Sequence, residues 1–140
     1  GAAHMAYINQ ERKAQIAAKV KPILKRYGIK GTLAVRNHMT LVLNIHNGVI
    51  DFISNSNETC ARDPYQVAQG VQPSRDYVDV NPYHYDKHFD GAAKQFLQEV
   101  MGALNDGNHD RSDIQTDHFD VGWYVDVNIG RWNKPYKLAD

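Results

Sequence analysis

The chain has 140 residues, with 16 Lys+Arg against 16 Asp+Glu, no formal net charge at pH 7 and 42% apolar residues. That composition is ordinary for a folded domain and argues against disorder, and the single cysteine, Cys60, excludes an internal disulfide framework. No apolar run approaches the roughly 20 residues that span a bilayer, so a cytoplasmic protein without membrane contact is expected.

Residues 1–5 (GAAHM) read as a cloning scar ending at a native Met5, and residues 6–140 as a single α+β domain. In NQERKAQIAAKVKPILKRYG, Ile16, Val20, Ile23, Leu24 and Tyr27 fall on one helical face. Asn9 is the expected N-cap and Gly28 the expected stop, while Pro22 should kink or divide the helix. Strands are expected at about 32–36, 40–46 and 49–53, as an antiparallel meander. Asn37-His38-Met39 joins the first pair, and Asn47-Gly48, a strong hairpin signal, joins the second. Leu41, Leu43 and Ile45 share one face of the middle strand. Residues 54–74 read as a long connection and RDYVDV as a further strand.

A second helix is expected in DKHFDGAAKQFLQEVMGALNDG, with Phe89, Ala93, Phe96, Leu97, Val100 and Leu104 on one face. The last strand alternates: Phe119, Val121, Trp123, Val125, Val127 and Ile129 point one way, Asp120, Gly122, Tyr124, Asp126 and Asn128 the other. The expected fold is α+β in two layers, an antiparallel sheet of about five strands with two helices packed on one face and the 119–129 strand central.

Charge is unevenly divided. Residues 1–70 hold nine Lys+Arg and four Asp+Glu; residues 71–140 hold seven and twelve. On the first helix Arg12, Lys19 and Arg26 recur every seven residues, a stripe able to meet phosphates or simply to face solvent. Tyr124 and Trp132 are candidates for an exposed partner-binding patch, whereas Trp123 alternates into the core.

The stretch Asp106–Asp117 places Asp106, Asn108, Asp110 and Asp117 at positions 1, 3, 5 and 12 of a twelve-residue loop, the offsets of oxygen ligands in a calcium loop. Arg111 stands where such a loop needs glycine, and Asp117 where it needs a bidentate glutamate. A polar connection held by side-chain caps is therefore the preferred reading. His84, His88, His109 and His118 flank the second helix without the spacing of a transition-metal site. Neither a nucleophile elbow, a Walker loop nor a dinucleotide fingerprint occurs, so no cofactor and no catalytic residue are assigned and a non-enzymatic role is expected.

The runs ILKRYGIKGTLAVRNHMTLVLNIHNGVIDF and NHDRSDIQTDHFDVGWYVDVNIGRWNKPY resemble a family of small conserved hypothetical proteins of tailed bacteriophages. More distantly, the helix followed by two strands and a glycine resembles a large polyvalent protein-associated domain of mobile elements. The first resemblance implies an accessory protein in the host cytoplasm that binds a host or phage macromolecule, inhibiting host defence or aiding host takeover. A host or phage protein is the expected partner, with nucleic acid bound by the basic first helix as one alternative. The other is a small metal-binding or metal-dependent module built on Asp106–Asp120.

Overall fold

The computed structural model describes residues 6–109 and 122–139. Helix α1, Gln10–Tyr27, begins at Asn9, whose side-chain oxygen accepts from the Arg12 backbone N–H at 2.8 Å. It ends at Gly28 in the left-handed conformation, φ 68°, where a Cβ would also lie 2.9 Å from Val49. Pro22, expected to kink or divide the helix, does not divide it. Ile16 and Val20 before the proline and Leu24 after it are buried in one core, which holds the helix together across the missing N–H.

Strands β1, Ile29–Arg36, and β2, Thr40–Gly48, pair antiparallel. They reverse at Asn37 and His38, both with positive φ (55° and 60°). The second expected hairpin is absent. Gly48 lies within β2, where a Cβ would sit 2.4 Å from the Ile29 side chain and 3.0 Å from the Tyr136 hydroxyl. The glycine serves close packing there, and no turn. Residues 49–53 consequently form no third meander strand: the Asp51 carboxylate accepts from Ser54 N–H and starts α2, Phe52–Ala61. Phe52 enters the core from this helix, with ring centroids 5.6 Å from both Phe96 and Tyr136. Helix α3, Pro64–Ala68, follows, so the expected connection at 54–74 is largely helical.

After β3, Val78–Val80, the expected second helix appears as two: α4, Tyr85–His88, and α5, Gly91–Leu104. The break has a local cause. The Asn55 side chain accepts from Asp90 N–H at 2.9 Å and donates to Asp90 C=O at 3.0 Å, holding Asp90 extended. The expected apolar face nevertheless holds throughout, from Phe89 to Leu104, and is buried.

Strands β4, Tyr124–Ile129, and β5, Lys137–Leu138, complete a five-stranded sheet in the order β1-β2-β4-β3, with β5 beside the end of β2. The α+β two-layer fold with about five strands is as expected, and β4, the described part of the strand expected at 119–129, lies between β2 and β3; residues 119–121 lie outside the described residues. The all-antiparallel pattern is not. β4 and β5 run parallel to β2, while β1–β2 and β3–β4 are antiparallel. Because residues 49–53 left the sheet as a helix, the place beside β2 is taken by β4, which returns through the helical layer as a parallel neighbour must. On the inner face Leu41, Leu43, Ile45, Val127 and Ile129 are fully buried beneath α1 and α5. No helix among the described residues is long and apolar enough to cross a membrane.

Candidate functional site

Alternation along the strands puts a different set of side chains on the outer sheet face, away from the core cluster: Thr32, Ala34 and Arg36 on β1, the buried Val42 and Asn44 with His46 on β2, Tyr124, Asp126 and Asn128 on β4, and Asp79 on β3. Polar groups pair across its centre. Asn128 donates to the Asn44 side-chain oxygen at 3.2 Å, and Arg36 meets Asp126 at 3.0 Å. A cleft of about 510 Å³ opens over this face, lined by Arg36, Val42, Asn44, Tyr77, Asp79, Asn128, Arg131 and Trp132 among others.

One wall of the cleft is a tight turn. β4 ends at Gly130, φ 69°, where a Cβ would lie 2.5 Å from Tyr136 N and 2.8 Å from Asp76 O, so the chain can turn there only as glycine. Arg131 and Lys134 then exchange both backbone hydrogen bonds, at 2.9 and 3.1 Å, leaving Trp132 and Asn133 at the tip. Trp132 is 77% exposed. Neither Arg131 nor Lys134 has an ion-pair partner among the described residues. Their charge is felt nearby: His46, hydrogen-bonded to Thr32 at 3.0 Å, is pushed below its ordinary pKa by burial, then by Lys134 and Arg131.

Of the residues singled out in the sequence, Tyr124 and Trp132 lie on this face, at opposite ends of β4. The basic stripe lies elsewhere and is engaged. The Arg12 guanidinium sits 5.7 Å from the centre of the Trp123 ring, Lys19 is paired with Asp106, and Arg26 with Glu99, which also accepts from the Tyr27 hydroxyl. These contacts tie α1 to α5 and to the turn after it. Asp106 and Glu99 are held below the usual carboxylate range, chiefly by their hydrogen bonds to Lys19 and Tyr27 respectively.

The candidate metal residues are partly visible. Asp106 is committed to Lys19, and the Asn108 side chain to Asn105 and to both backbone groups of Trp123. Asp110 and Asp117 lie outside the described residues. Among the described residues no three His, Cys, Asp or Glu side chains gather as a metal site would require. His84 and His88 line a separate cleft between α3 and α4 together with Asp63 and Gln66.

Arg36, Asn44 and Arg131 were not singled out from sequence. The period-two pattern that buries Leu41, Leu43 and Ile45 would have put Asn44 on the outer face. The pairing of β2 with β4, which brings Asn44 to Asn128, had no local signal. No family model, curated protein or solved structure matches the chain.

Proposed function

We propose that this protein is a non-enzymatic binding module that engages a host or phage macromolecule through the outer face of its sheet. The observation that carries this reading is Trp132. A large aromatic residue held 77% exposed at the tip of a rigid two-residue turn, beside a cleft lined by Tyr77 and two arginines, has the composition of a binding hot spot. Burying such a ring in a partner costs little conformational entropy, since the turn already fixes its backbone. The phage resemblance supplies the setting: an accessory factor in the cytoplasm of an infected cell, directed at a host defence or host process.

Site-specific photocrosslinking in infected cells tests the reading. A photoreactive aromatic residue, which keeps a ring at position 132, should give a discrete adduct, lost when Arg131 and Tyr77 are replaced by Gln and Ala. The same probe at Val67, exposed on α3, should give none. Equal adducts from both positions, or none from position 132, would reject the outer face as the binding surface.

A further inference from the structure

Resting on the reading of the outer face as the binding surface, we infer that its partner is single-stranded RNA, bound along β4 from Tyr124 to the turn at Trp132. Three properties of the face converge on this polymer. Exposed rings stand along it: Tyr77 is 41%, Tyr124 44% and Trp132 77% exposed. Unpaired bases of a single strand offer a π-face to each, whereas a duplex keeps its bases stacked internally. The second property is charge. Arg36 neutralises Asp126, and Arg131 and Lys134 have no carboxylate partner among the described residues, so this end of the face complements phosphate.

The third property favours RNA over DNA. Asp79 lines the same cleft, exposed and without an ion-pair partner among the described residues. A carboxylate repels phosphate but accepts hydrogen bonds: base amino groups donate in both polymers, and the ribose 2′-hydroxyl is a further donor that DNA lacks. Asn128, half-buried on the cleft floor with its amide donating to the buried Asn44, adds a polar group able to meet a base edge. The basic stripe of α1 takes no part, because Arg12, Lys19 and Arg26 are spent on Trp123, Asp106 and Glu99.

The test is fluorescence anisotropy with a labelled twelve-nucleotide RNA of mixed sequence, the matching DNA strand and the RNA duplex, over a range of salt. The RNA strand should bind, with the DNA strand and the duplex each at least tenfold weaker. Trp132→Ala should weaken RNA binding by about 5- to 150-fold, the range of one lost stacking contact. Replacing Arg131 and Lys134 together by Gln should lower the slope of log affinity against log salt by about 1.4, at about 0.7 per phosphate contact on a single strand. Asp79→Ala should reduce the preference for RNA over DNA and leave the salt slope unchanged. Replacing Lys13 and Lys21 on α1 by Gln should change nothing, and melting curves would verify that each variant is folded. DNA bound as tightly as RNA, a preference for duplex, or full affinity in folded Trp132→Ala overturns the inference. If no oligonucleotide binds at low salt but position 132 still crosslinks to a protein, the RNA inference fails while the outer-face reading stands. If position 132 crosslinks to nothing and no oligonucleotide binds, both fall.

Discussion

The side chain of Asn108 pairs with both backbone groups of Trp123: its oxygen accepts from the Trp123 N–H and its amide donates to the Trp123 C=O, each at 2.9 Å. One side chain thus reproduces a rung of a β-ladder. The device recurs twice, with Asn55 on Asp90 and Asn57 on Ser74, the latter through two bonds of 2.8 Å. Asparagine suits the task because its amide offers a donor and an acceptor in one plane.

Asn108→Ala should therefore leave two backbone groups of Trp123 without this partner and lower stability by about 1–3 kcal/mol. Urea unfolding followed by tryptophan emission, in a Trp132→Phe background so that Trp123 alone reports, measures it. A midpoint unchanged in Asn108→Ala would show that solvent satisfies those groups at no cost.

Phe96→Ala should be among the most damaging single changes, at about 3–5 kcal/mol. The ring is fully buried and packs edge-on to Tyr27 at 5.4 Å and against Phe52 at 5.6 Å, so its loss opens a cavity between both principal helices and α2. Calorimetry at neutral pH is the measurement. A loss below about 1 kcal/mol would mean that the aromatic cluster repacks without cost.

How far the sequence reveals this fold depends on the kind of signal. Apolar spacing located α1 and the buried face of α5, because a helix reports its face within a few turns of chain. Alternation located β2 and the inward direction of Trp123 for the same reason. Gly48 misled because a glycine chosen for a close approach to Ile29 and Tyr136 looks identical to one chosen for a turn. The parallel partnership of β2 and β4 left no trace, since nothing local to Asn44 names Asn128. At the candidate site, Tyr124 and Trp132 were legible as exposed aromatics. The cleft was not, because its walls come from four separate strands and a turn.

Acid should destabilise the protein in two stages. The ordinary histidine pKa is about 6.5. Burial, aided by neighbouring cations, holds His46 lower, and burial does the same for His88. A depressed pKa favours the neutral ring in the folded state, so the contribution is complete above the unfolded value and is lost as pH falls through the folded one. Glu99 and Asp106, also depressed, follow at lower pH by the same sign. Melting temperature should decline from pH 7 towards pH 5, and His46→Gln should flatten that first limb. A melting temperature that rises over this range would reverse the assignment.

For metals the expected result is a flat response. Asp106 is paired through Oδ2 with Lys19, and the Asn108 side-chain oxygen accepts from the Trp123 N–H. A metal bound only by the native state at a hundredfold excess over its dissociation constant would add about 2.7 kcal/mol. Thermal melts with EDTA, calcium, magnesium, manganese or zinc, repeated on Asp110→Asn and Asp117→Asn, measure this. A rise with one ion, lost in both variants, would make the acidic stretch a cation site.

The parallel seam between β2 and β4 also governs the order of assembly. The β1–β2 hairpin closes over three residues and can form as soon as it leaves the ribosome, yet its neighbour across the seam arrives 84 positions later, at the Asn44–Asn128 pair. Until then Leu41, Leu43 and Ile45 have no β4 beside them, and β2 presents an open hydrogen-bonding edge. Contacts that far apart in the chain form slowly. A nascent chain interrupted before residue 124 therefore displays an aggregation-prone strand edge, and chaperone demand should fall sharply once β4 has been synthesised.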